Sequence, residues 1–185
     1  MLLTDEIADL LGAQSHVLQP LRTVAALGVE DCWIGAGLLR NAVWDYLHGF
    51  SASPVPGSDI DVVYYDAADV RPTADLSIQQ RLCAAAPGLP WSVHNQARMH
   101  GPNGDPPYRD VTDAIAHWPE TATAIAARIE DGRITILAPH GLQDLIGLIV
   151  RPTPAFAAKL DVYSVRQAAK KWHERWPKLQ FIGAP

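Results

Sequence analysis

The chain has 185 residues, 48% of them apolar and 19% charged, a balance ordinary for a globular protein and enough for a single domain, residues 1–185, with a substantial core. Its net charge of −5 argues against a broad, sequence-independent nucleic-acid surface, yet leaves room for a local basic pocket. Cys32 and Cys83 are the only cysteines. Neither has metal-ligand spacing, which excludes a disulfide framework and a zinc site and fits a reducing cytoplasm. No run approaches the ~18 apolar residues of a membrane span, and MLLTDEIADLL lacks the basic start of a leader, so no membrane association is expected.

In chain order, Thr4 to Leu27 reads as a helical packing region, with Ile7, Leu10, Leu11, Val17, Leu18, Leu21 and Val24 on one face and a break or new start at Pro20. The apolar run Cys32–Trp33–Ile34 predicts a strand. It stops at Gly35-Ala36-Gly37, after which Leu38, Leu39, Ala42, Val43, Tyr46 and Leu47 recur at helical spacing until His48-Gly49. FSASPVPGS then marks a mobile loop, suited to act as a lid, before a second strand at Ile60 to Tyr65. Thr73 to Ala86 suits a helix capped by Thr73 or Asp75, and Trp91 to His94 a third strand. A polar cluster, Asn95 to His100, and a glycine- and proline-rich loop follow. Asp110 to His117 predicts a short helix. Ala122 to Ile129 and Arg133 to Leu137, joined by Asp131-Gly132, make a hairpin that extends or flanks the sheet. A short helix at Gly141 to Ile149 and an amphipathic helix at Ala155 to Trp172 complete the chain.

The chemistry concentrates between Trp33 and Asp66. Glycines at a strand-to-helix turn let a ligand approach the backbone, and the helix start offers unpaired N–H groups suited to phosphate. Arg40, in the first turn, adds a cation. Asp59 and Asp61 are two apart at the start of a strand, so both face one side. Side by side they repel unless a divalent cation lies between them; capping or solubilising the strand start is the alternative role. Asn95, Gln96 and Arg98 carry groups able to read a base edge or hold phosphate, or else form a polar loop making its own turn contacts. His94 and His100 read as structural, and Trp44, Trp91, Trp118 and Trp172 as packing residues.

A glycine-ended strand, a helix and a strand bearing Asp-hydrophobic-Asp resembles the DNA polymerase β-like nucleotidyltransferase superfamily. GAGLLRNAVWDYLHG, SDIDVVYYD, WSVHNQARMH, DAIAHWPETATAIAARIEDGRI and APHGLQDLIGLIVRPTP together resemble a bacterial nucleotidyltransferase-like family, over Cys32 to Pro177. The resemblance implies an α/β (α+β) fold whose mixed sheet is flanked by helices, with an added C-terminal hairpin and helix. It implies transfer of a nucleoside monophosphate from a nucleoside triphosphate to a hydroxyl on a small molecule, an RNA end or a protein. Mg2+ or Mn2+ would be held by Asp59 and Asp61, with Asp61 touching both ions and Asp59 the one on the triphosphate. Gly35, Ala36, Gly37, Arg40, Asn95 and Arg98 would bind the nucleotide. The chain departs from the pattern in three places. Ala36 brings no hydroxyl, the interval from Gly35 to Asp59 is long, and WSVH offers Ser92 where a third acid is expected. Asp66, Asp113 and Glu120 are the acids left to replace it. A scaffold that binds nucleotide without catalysis is the alternative.

Overall fold

The computed structural model describes residues 4–55 and 57–183. Two helices, α1 (Thr4–Gly12) and α2 (Ser15–Ala26), precede β1 (Trp33–Gly35), α3 (Gly37–His48) and β2 (Ile60–Tyr64). Next come α4 (Pro72–Ala85), β3 (Trp91–Asn95), a 3-10 turn at Gln96–Arg98, α5 (His100–Asn103) and α6 (Val111–Ala116). The hairpin is β4 (Ala126–Glu130) and β5 (Arg133–Leu137). The C-terminal part holds α7 (Gln143–Ile146), β6 (Ile149–Val150), α8 (Pro154–Ala157), α9 (Leu160–Lys170), α10 (Trp172–Arg175) and β7 (Gln180–Phe181).

The first five strands form one mixed sheet in the order β3-β2-β1-β4-β5. The short strand β1 is central and runs antiparallel to both neighbours, while β2 and β3 are parallel. Alternation along β2 divides its residues. Val62 and Tyr64 enter the larger core, built with Leu11 of α1, Leu21 of α2, Leu39 and Val43 of α3 and Leu82 of α4. Val63 faces the other way and packs with Trp33, Ala126 and the α6 residues Val111 and Ile115. The fold is thus the expected mixed sheet between helices. The hairpin is integral to it, because β4 pairs directly with central β1.

Several boundaries differ from expectation. The first helical region breaks at Gly12–Gln14, and α2 runs through Pro20; the buried proline ring packs in place of the hydrogen bond it cannot donate. Neither Thr73 nor Asp75 caps α4, which follows Arg71 with Pro72 in its first turn. Asp75 instead points into the protein, accepting from Tyr64 Oη at 2.7 Å and from the Asn95 N–H at 3.2 Å, and pairing with Arg98. The helix expected over 155–172 is three pieces, because the backbone leaves the helical region at Lys159 and turns left-handed at Lys171, φ 47°. The helix expected over 141–149 ends at Ile146, and Ile149–Val150 pairs in parallel with Gln180–Phe181.

Asp45 holds this terminal part on α3. It is 1% exposed, accepts from Trp176 Nε1 at 2.8 Å and pairs with Arg175 at 3.0 Å. Trp44 meets Trp172 and Trp176 edge-on, with ring centroids 5.4 and 5.1 Å away. Removing the carboxylate strands an indole N–H and a partly buried guanidinium. Asp45→Ala is expected to lose about 3 kcal/mol, measured by urea denaturation, whereas the exposed Glu174→Ala stays within about 0.5 kcal/mol.

Candidate active site

The antiparallel register of β1 and β2 pairs Trp33 with Val63 and Ile34 with Val62, and its continuation sets Gly35 opposite Asp61. On the other side, Asp61 pairs with Ser92 of β3. Paired residues face the same side, so Gly35, Asp61 and Ser92 form a row across three strands. Asp59, two residues back, extends it. Trp118 covers the row at Gly35: a Cβ added there would lie 2.5 Å from Trp118 Cη2. The missing side chain at Gly35 therefore admits an indole beside Asp61.

Beyond Gly35 the backbone turns sharply. Ala36 takes φ 44° and ψ −109°, a left-handed conformation costing a side-chain-bearing residue about 1–3 kcal/mol. Its N–H donates to Ile125 O at 2.9 Å, and its carbonyl accepts the Arg40 N–H at 3.0 Å. The turn is held from both sides. A Cβ on Gly37 would meet nothing within 4 Å, so the helix start opens onto free space. As first-turn groups, the N–H of Gly37, Leu38 and Leu39 have no partner inside the helix.

Among the described residues, Asp59 and Asp61 accept no protein hydrogen bond and form no ion pair. Burial, and then the charge of Asp59, push the Asp61 carboxyl up to about 6, against the pull of Arg40, Lys170 and Arg166. Adjacent carboxylates that lack protein donors are a donor set suited to a hard divalent cation, and the residues fit one. No described third acid, histidine or cysteine completes a larger cluster. Asp113 pairs with Arg109 at 2.9 Å. Asp66 accepts from the Ala68 and Asp69 N–H groups beyond the far end of β2. Glu120 is 0% exposed and holds Arg166 and Gln167, each at 2.7 Å. Ser92 keeps the place beside Asp61, with its hydroxyl 2.9 Å from His94 Nε2.

Arg40 is 6% exposed and lies between indoles, its guanidinium carbon 4.9 Å from the Trp44 ring and 4.2 Å from the Trp172 ring. Its Nη1 donates to Thr123 Oγ1 at 3.0 Å and its Nη2 to Asn41 Oδ1 at 2.8 Å. Both Nη groups of the fork expected for an anion are thus engaged by protein, while Nε has no partner among the described residues. Burial brings Arg40 down to about 10, partly opposed by Glu120 and Asp61. The sequence reading missed Arg166 and Lys170, one turn apart on α9. Lys170 has no ion-pair partner among the described residues; burial and then the charges of Arg166 and Arg40 lower it, against Glu120 and Asp59.

Asn95 and Arg98 belong elsewhere. Asn95 pairs with Tyr64, at the opposite end of the strands from Asp61. It is fully buried; Oδ1 accepts from the Asp66 and Ala97 N–H groups and Nδ2 donates to the Asp66 and Asp69 carbonyls. Arg98 pairs with Asp75. Asn95 staples the loop after β2 to β3 with its side-chain amide fully used, and Arg98 ties the turn after β3 to α4 through Asp75 and donates to the Asn95 carbonyl.

Residues 22–181 match the family model described as Nucleotidyltransferase. The chain belongs to the nucleotidyltransferase family. An NMR structure described as revealing a CCA-adding enzyme head domain is similar at 29% identity, with a TM-score of 0.85, over 97% of this chain and 96% of that one. The Thermotoga maritima CCA-adding enzyme in complex with tRNA is similar at 16% identity and TM-score 0.61, over 95% of this chain and 42% of that one. A CCA-adding enzyme complexed with CTP gives 15% identity and TM-score 0.59, over 95% and 43%. This chain thus spans less than half of those longer enzymes, whose likeness is one of fold. No curated protein sequence matches the chain.

Two measurements test the site's packing and charge. Gly35→Ala is expected to destabilise by about 1–3 kcal/mol, and combining it with Trp118→Leu in a double-mutant cycle is expected to give less than the sum. For Asp61, the folded carboxyl keeps its proton to about pH 6, whereas the unfolded one releases it near ~4. Its contribution to stability is therefore present at low pH and lost as pH rises through that window. In chelator, Asp61→Asn should melt higher than wild type above about pH 7, with the gap closing towards about pH 4. Magnesium should close it by raising the wild-type melting temperature.

Proposed function

We propose that this nucleotidyltransferase moves a nucleoside monophosphate from a nucleoside triphosphate to a hydroxyl acceptor with the help of a divalent cation at Asp59 and Asp61. The observation that carries the reading is the unpartnered acidic pair set against Gly35, with open space at Gly37 and a cationic flank of Arg40, Arg166 and Lys170. The solved complexes of this fold with CTP and with tRNA support a nucleotide as donor.

When bound, magnesium or manganese neutralises phosphate oxygens and lowers the pKa of a hydroxyl beside it. The protein's own groups do the rest. Asp59 and Asp61 hold the cation, and the helix start at Gly37 to Leu39 receives phosphate oxygens on backbone N–H groups. Lys170, which has no ion-pair partner among the described residues, meets the charge that accumulates on the leaving pyrophosphate, while buried Arg40 and half-buried Arg166 keep the field positive behind it. In the reaction the acceptor oxygen bonds to the α-phosphorus, the bond from that phosphorus to the bridging oxygen breaks, and the hydroxyl proton is released. Trp118 covers the row at Gly35 and limits the approach of water.

The lack of a third described acid beside the pair favours a second reading, a scaffold that binds nucleotide and does not turn it over. One experiment separates the two. With labelled nucleoside triphosphates, magnesium and a panel of hydroxyl acceptors, the proposal expects pyrophosphate release that Asp59→Asn or Asp61→Asn abolishes with the fold intact. Lys170→Gln should raise KM for the nucleotide about tenfold, roughly the strength of one charge-assisted contact. Binding without release across the panel would support the scaffold instead, and unchanged turnover in both aspartate variants would remove the assignment.

A further inference from the structure

A separate cavity of about 250 Å3 lies at the Asp59 end of β2, between the start of α2, the start of α3, the loop before β2 and the loop before β3. Its walls are largely apolar, with Pro20, Leu38, Ile60, Leu89 and Pro90 among them, and Asp59 stands at its edge. Pockets for drug-sized ligands run about 300–1,000 Å3. This one suits a single ring system and not a whole nucleotide.

Asn41 shows what kind of ring. It lines the cavity yet is 6% exposed. Arg40 Nη2 donates to its Oδ1 at 2.8 Å, and because a guanidinium can only donate, that contact fixes which end of the amide is oxygen. The other end, Nδ2, donates to no protein acceptor among the described residues and is left to the cavity that Asn41 lines. Gln19 adds a second amide at the rim. Apolar walls with amide donors at one edge match the faces and edge of a nitrogen heterocycle: its flat surfaces lose little on leaving water, while a ring carbonyl or ring nitrogen takes the waiting hydrogen bond. Position points the same way. Leu38 is in the first turn of α3, where phosphate is received, and Asp59 belongs to the acidic pair, so a base seated here leaves its sugar and phosphates at the site.

We propose that this cavity receives the nucleobase of the bound nucleoside triphosphate, with Asn41 Nδ2 donating to the ring edge; the assignment rests on a nucleotide donor at the Asp59 and Asp61 site. The cavity then supplies base-dependent affinity, and the acidic pair with its cationic flank supplies base-independent affinity for phosphate.

Calorimetric titration with magnesium separates these parts, using the four common nucleoside triphosphates and inorganic tripolyphosphate, which has the phosphates and no base. Wild type is expected to bind at least one nucleoside triphosphate tenfold or more tighter than tripolyphosphate. Leu89→Trp, which fills the cavity from the loop before β3, should bring that nucleotide down to the tripolyphosphate level; Gln19→Trp at the exposed rim should act in the same direction and guards against misfolding of the first variant. Asn41→Asp keeps an oxygen for Arg40 and removes the donor, so it should lower the ratio of nucleotide to tripolyphosphate affinity about tenfold. Equal wild-type affinity for nucleotide and tripolyphosphate, or full nucleotide affinity in both tryptophan variants, would overturn the cavity as the base site and leave the donor assignment standing. Binding of neither ligand would overturn the donor assignment and this one with it.

Discussion

Antiparallel pairing of β1 with β2 is the constraint on which the site depends. It converts a separation of more than twenty residues along the chain into direct opposition of Gly35 and Asp61 on one face of the sheet. Whatever is bound at the turn is then bound next to the acids. The same register explains why a side chain at Gly35 is excluded: the face that carries the acids also carries the Trp118 indole. Two requirements, an acid on β2 and an aromatic cover on β1, meet at one glycine.

Charge is arranged with comparable economy. A chain with a net charge of −5 cannot attract a polyphosphate by its overall field, so attraction has to be local. Arg40 and Arg166 are each held by protein acceptors, Thr123 and Asn41 for the first and Glu120 for the second. Indole faces flank Arg40 further. Cations fixed this way do not collapse onto Asp59 and Asp61, which stay available. Glu120 thus has a role different from that of a metal ligand: buried and fully engaged, it fixes Arg166, and its charge offsets part of the cost of burying Arg40.

The parts of this design that sequence makes legible are those encoded by near neighbours. Gly35-Ala36-Gly37 between an apolar run and a helical repeat specifies strand, turn and helix, and Asp59 and Asp61 two apart share a face in any strand. The Asp131-Gly132 turn joins β4 to β5 as expected, both residues having positive φ. What sequence hides is the use of a polar side chain. Asn95 and Arg98 follow a strand as a binding loop might, yet every polar atom of Asn95 is used to fasten the chain after β2, and Asp75, which looks like a helix cap, is their buried partner. Arg166 and Lys170 carry the opposite ambiguity. On an amphipathic helix they read as solvated charge, and only the docking of α9 brings them to Asp61.

That docking makes the C-terminal segment part of the proposed site, although it contributes no strand to the main sheet. Trp172 stacks on Arg40 while Trp176 and Arg175 close on Asp45, and all of these contacts are made to α3, the helix whose first turn forms the proposed phosphate seat. A left-handed turn at Lys171 ends α9 at Lys170 and starts α10 at Trp172, so the chain changes direction between the two. One irregular residue therefore separates a lysine whose charge is felt at Asp59 and Asp61 from an indole that stacks on Arg40. The helix of the proposed phosphate seat and the helix that carries Arg166 and Lys170 are coupled through buried Trp172, which lies against both Arg40 and Arg166, so loosening either one displaces charge near the acidic pair.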